Sequence, residues 1–171
     1  MGRAEAEASR VRLEARDELP VPVEVIARAL GADVVYEPMD RGVSGLLVRD
    51  GKSVVIGINA AHPPGRQRFS IAHEIGHLVL HKGRPMVVDH VRLNLRDERS
   101  SAATDVEEIQ ANKFAAELLM PQALVLRELR SIDAARSGSE ATVVSDLAQL
   151  FDVSEQAMEY RLVNLGARRQ L

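Results

Sequence analysis

The sequence predicts an α+β fold, and three observations carry that expectation. Two segments with helical apolar periodicity, residues 70–81 and 104–120, occupy the middle of the chain. Ahead of them lie three short runs rich in β-branched residues. Behind them, residues 143–166 form two amphipathic stretches split by a short turn. Strands and helices are segregated along the chain instead of alternating regularly, the arrangement that gives α+β architectures.

Taken in order, residues 1–19 are a charged lead-in, helical over about residues 4–17. Residues 22–30 read as a helix with Pro22 in its first turn and Gly31 just past its end. The extended runs are Asp33–Tyr36, Val43–Arg49 and Ser53–Ile58, with a hairpin signal at Asp50-Gly51 between the last two. They should form a small three-stranded, mostly antiparallel sheet packed on the next helix. An edge of that sheet could take an extended peptide by β-augmentation.

The next helix contains FSIAHEIGHLVLH, residues 69–81. At 100° per residue His73, Glu74, His77 and His81 share one arc, and the remaining arc holds Ile71, Ala72, Ile75, Gly76, Leu78, Val79 and Leu80, all apolar. Such a helix is buried, and ionisable groups on it must be paired, ligated or facing a cavity. Histidines four apart lie one turn from each other, the separation at which two imidazoles can share one tetrahedral Zn²⁺. Glu74 is then placed to act on the attacking water as general base. Gly76 lowers helix propensity, which predicts close approach of another backbone.

A third ligand is expected from residues 104–120, a helix capped by Thr104 or Asp105 and ended by Pro121. Its helical wheel puts Lys113, Glu117 and Gln110 on a polar face. Glu108 and Asn112 fall within the apolar arc, and Glu107 stands at its edge. Glu108 is therefore favoured over Glu107 as ligand, with Asn112 as a hydrogen-bonding partner of a ligand. His81 is about 12 Å along the helix from His73, too far to share an ion with it, and reads as a helix-end cation or a wall of the cleft. His62 and His90 lie in loop-like stretches and read as surface histidines.

FSIAHEIGHLVLH followed about 35 residues later by EIQANKFAAELLMP resembles the ImmA/IrrE family of metallopeptidases, over roughly residues 20–165. The resemblance implies a zincin-like domain, with metal held by His73, His77 and Glu108 and with Glu74 as catalytic base. Asn112 stands where thermolysin-like enzymes carry an acidic partner of a ligating histidine. The resemblance further implies a helix-turn-helix transcriptional repressor as protein substrate, cleaved to release its genes.

Zinc would polarise the peptide carbonyl and ready the attacking water, and Mn²⁺ is the other metal this ligand set admits. His81, His90, Tyr36 and Arg66 are the side chains available to stabilise the oxyanion. The competing function is a non-cleaving regulatory or toxin–antitoxin partner that binds a repressor or DNA through the same fold. An HExxH motif with its glutamate favours the enzyme, since binding alone needs no general base.

The 171 residues include 46% hydrophobic and only 3% aromatic residues, so the core must rest on Leu, Val, Ile and Ala. Cysteine is absent, which excludes disulfides and thiolate–metal sites and suits a reducing cytoplasm. The N-terminus lacks an apolar signal segment, and no apolar run approaches the roughly 18 residues of a membrane span. A net charge of −3 gives no general attraction to nucleic acid.

Residues 83–103 lack helical periodicity and are expected to form a long loop, serving as lid or substrate guide. Residues 20–130 thus form the peptidase domain. A helix from Pro121 to about Arg130 leads through a turn-rich linker, SIDAARSGSE, to a C-terminal module over residues 141–171. That module is a helix-turn-helix-like helical pair with Ser154 capping its second helix. The second helix carries Glu155 and Glu159 and only Arg161 as a cation, so direct DNA binding is not expected. Oligomeric state is not legible in the sequence.

Overall fold

Proline and glycine punctuate the first half of the chain as the sequence indicates. Pro22 stands at the N-cap of a helix that stops before Gly31, whose φ of 80° only glycine adopts without strain. Gly51, at φ 56°, turns the hairpin at Asp50↔Ser53. The computed structural model describes residues 2–12, 18–51, 53–82, 86–90, 102–135 and 140–167. Its helices are α1 (Arg3–Arg12), α2 (Val23–Ala29), α3 (Pro64–Leu80), α4 (Ala102–Leu119), α5 (Gln122–Ala135), α6 (Glu140–Phe151) and α7 (Glu155–Asn164). Its strands are β1 (Ala32–Glu37), β2 (Val43–Asp50), β3 (Ser53–Asn59) and β4 (Met86–His90).

The sheet has four strands in the order β1-β3-β2-β4. The three expected strands are present, β2 and β3 as the expected antiparallel hairpin. Two features correct the sequence reading. β1 pairs parallel with β3, because the connection after β1 carries the chain across so that β2 lies on the far side of β3. β4 falls inside the stretch read as a loop and pairs antiparallel with β2. At five residues it is too short for a β-period to stand out from its polar flanks. The remainder of that expected loop, residues 83–85 and 91–101, lies outside the described residues, and so do the capping side chains expected at Thr104 and Asp105.

α3 packs on β2 and β3 with one flank and on α4 with another, which explains an apolar surface around most of its girth. Ile71, Ala72 and Ile75 of α3 join Leu47, Ile56 and Ile58 of the sheet and Phe114, Ala115 and Leu118 of α4 in the core. A Cβ at Gly76 would lie 3.1 Å from the Cα of Ala111, so the two helices cross there at backbone contact. This is the close approach that glycine at this position predicts.

α1 lies against α3 and α4, burying Ala4, Ala8 and Val11 in the same core. α5 runs on to Ala135, five residues beyond the expected end, so much of the supposed linker is helical; residues 136–139 are outside the described set. The turn between α6 and α7 places Asp152 at φ 51°, and Ser154 caps α7 by accepting from the amide of Ala157 at 3.1 Å. Among the described residues no helix is long and apolar enough to cross a membrane.

Candidate metal centre

Three elements build the site. The hairpin strand β2 covers α3 from one side: Gly45 approaches so closely that a Cβ there would stand 3.2 Å from Oε1 of Glu74. Arg49 of the same strand donates to the carbonyls of His77 at 3.0 Å and His81 at 3.3 Å, satisfying the C-terminal end of α3. α4 closes the site from the other side.

His73 and His77 are buried, and their Nε2 atoms face each other 3.0 Å apart. The carboxylate of Glu108 spans both, one oxygen 3.3 Å from His73 Nε2 and the other 3.3 Å from His77 Nε2. All three ligand atoms lie within 4.8 Å of one another. Tetrahedral ligands about 2 Å from an ion stand about 3.3 Å apart, so this donor set fits a divalent cation such as zinc. Burial alone would raise the pKa of Glu108, but its contacts with the His73 and His77 rings outweigh it and hold the carboxyl ionised, below its ordinary range.

Glu108, not its neighbour Glu107, thus provides the carboxylate facing both rings. Glu74 is fully buried beside β2. Asn112 presents its Oδ1 to Nδ1 of His73 at 3.1 Å. Because an amide oxygen only accepts, His73 keeps its proton on Nδ1 and leaves Nε2 bare.

His81 departs from its sequence reading. It is no helix-end cation: it is buried at the end of α3, its Nδ1 3.0 Å from Nδ1 of His77 and its Nε2 3.0 Å from Oε1 of Gln110. Burial is the largest influence on its pKa and lowers it from the ordinary value. Gln110, which the helical wheel puts on a polar face, is thus part of the site. The signal that could have found it is the spacing of His77 and His81, which repeats that of His73 and His77.

Tyr36 is engaged elsewhere, bonding Glu24 on the opposite edge of the sheet, and burial with that carboxylate raises its pKa to about 12. His62 sits in the turn before α3, where its carbonyl accepts from Gln67 at 2.8 Å. The side chain of His90, in β4, is outside the described set. Arg66 donates to Ser44 Oγ at 3.1 Å and shares a cleft of about 740 Å³ with His73, Glu108 and Asn112. Phe69, Ile109, Val153 and Ala157 supply apolar wall to that cleft.

Comparison with known proteins decides the family. The profile of the IrrE N-terminal-like domain, a peptidase family, matches residues 27–163. The chain belongs to this family. The radiation response metalloprotease IrrE of Deinococcus radiodurans is 34% identical over 113 residues, covering 66% of this chain and 32% of that protein. Its counterpart in Deinococcus deserti is 35% identical over 119 residues, covering 69% of this chain and 39% of its own length. The match therefore spans only about a third of one IrrE protein and two fifths of the other. An uncharacterized immunity region protein of Bacillus phage phi105 is 28% identical over 134 residues, covering 76% of this chain and 78% of the phage protein. A solved structure of a Mycobacterium tuberculosis transcriptional regulator shares the fold, with a TM-score of 0.61 at 21% identity over 95% of this chain and 47% of that one. The family is one of metallopeptidases, and His73, His77 and Glu108 of this chain are grouped as a metal site would require.

Proposed function

We propose that this chain is a zinc-dependent, zincin-like endopeptidase that cleaves a helix-turn-helix transcriptional repressor in the cytoplasm. The observation that carries the reading is the convergence of two imidazoles and one carboxylate from helices far apart in sequence, within 4.8 Å of each other. His73, His77 and Glu108 would hold the ion, and Asn112 would orient His73. When bound, the metal supplies Lewis-acid polarisation of the scissile carbonyl and acidifies the attacking water. Glu74 takes that water's proton and returns it to the leaving amine. Arg66, which lines the same cleft, is the candidate donor for the oxyanion. The outer side of β4 would align an extended peptide, and the apolar cleft wall would receive one of its side chains.

The phage immunity-region relative supports a regulator as substrate. On α7 Glu155 and Glu159 are exposed whereas Arg161 is buried, which argues against direct DNA contact through that helix. The test is incubation of zinc-loaded protein with a candidate helix-turn-helix repressor, comparing wild type with Glu74→Gln. Wild type should cut the repressor and the variant should retain zinc but lose at least about 10²-fold in rate, the scale of a general base. Equal cleavage by both, or an intact repressor after incubation with the metal-loaded wild type, would reject the assignment in favour of a non-cleaving regulatory partner.

A further inference from the structure

Two nitrogens of like kind face each other at the end of α3: Nδ1 of His77 and Nδ1 of His81, 3.0 Å apart in a buried setting. One must carry a proton and the other a lone pair. The far side of His81 decides which. Its Nε2 stands 3.0 Å from Oε1 of Gln110, an oxygen that can only accept, so the proton of neutral His81 is on Nε2. Nδ1 of His81 is then bare, and the proton shared between the rings belongs to Nδ1 of His77. A histidine protonated on Nδ1 has its lone pair on Nε2, the atom that faces His73 Nε2 at 3.0 Å and Glu108 at 3.3 Å.

We propose that Gln110 and His81 are positioning residues that set the tautomer of His77 and so aim its Nε2 lone pair at the metal. This rests on the reading of His77 as a ligand and adds to it a second arm of support. α4 would fix both ligating histidines through amide oxygens, His73 directly by Asn112 and His77 through His81 by Gln110. Along α3, Asn112 meets the first ring of the His73–His77–His81 row and Gln110 meets the last, while Glu108 meets the two rings that would hold the ion.

The experiment reads proton positions and metal affinity. In zinc-loaded wild type at about pH 8, above the ordinary histidine pKa, long-range ¹H–¹⁵N NMR should place protons on Nδ1 of His77 and on Nε2 of His81. Competition with a chromogenic chelator should show Gln110→Leu and His81→Phe weakening zinc about 10- to 100-fold, the scale of lost ligand support. Gln110→Glu, which keeps an acceptor, should bind within about threefold of wild type by the same measure. A proton on Nδ1 of zinc-loaded wild-type His81 overturns the relay, and so does zinc affinity unchanged in folded Gln110→Leu or lost equally in Gln110→Glu. A wild type that takes up no zinc overturns the metallopeptidase reading itself, and the relay with it.

Discussion

Glu108 shows how much one side chain decides. Its neighbours Glu107 and Ile109 have the same helical backbone, yet Glu108 alone of the three is 3.3 Å from both His73 and His77. Ile109, apolar by type, is 53% exposed on the cleft wall. The ligand choice gives a direct measurement. Glu108→Gln should lower bound zinc, read by atomic emission on the purified protein, by about tenfold or more, because a neutral amide is a far weaker ligand than a carboxylate. Glu107→Gln should leave zinc content unchanged, and the reverse pattern would assign the ligand to Glu107.

At the scale of elements, the contact between α3 and α4 is what turns two sequence motifs into one site. The helices cross where Gly76 meets Ala111 and Phe114, a gap too narrow for a methyl group without movement of backbone. Gly76→Ala gains about 1 kcal/mol of helix propensity, against about 1–3 kcal/mol of overpacking. The strain falls on the spacing between the histidines and Glu108, so zinc affinity should drop about tenfold or more even if the fold survives, since ligand placement tolerates only about 0.5 Å. Gly65→Ala in the first turn of α3, where a Cβ meets nothing nearer than 3.9 Å, should bind zinc as wild type does. Chelator competition on both variants separates a local packing effect from a general glycine effect.

Across the whole molecule, α7 is tied to the ligand helix by a buried ion pair. Arg161 bonds Glu117 of α4 and donates to the carbonyl of Met120 at 2.9 Å, and Glu117 also accepts from the amide of Gln122 at 3.2 Å at the start of α5. The helical wheel sets Glu117 on a polar face, and Arg161 reads as the one cation of a helix not expected to contact DNA. Both are buried, at the junction where the C-terminal end of α4 meets α7 through Arg161 and the start of α5 through Gln122. Arg161→Met should destabilise the protein by about 3–5 kcal/mol in urea unfolding, since it strands a buried carboxylate. The double variant Glu117→Leu with Arg161→Met should recover most of that loss, as replacement of a buried pair by apolar residues usually does. Equal losses in the single and double variants would show that the pair contributes through packing alone.

The local features were legible because their causes are local. Spacing of four puts His73 and His77 one turn apart on any helix, Asp50-Gly51 makes a hairpin turn wherever it stands, and Ser154 caps whatever helix follows it. The parallel pairing of β1, the short edge strand β4 and the burial of Glu117 depend on partners distant in the chain, which no periodicity encodes. So does the contact of His81 with Gln110, 29 residues away. A wheel reports which residues share a face; only packing decides what that face meets.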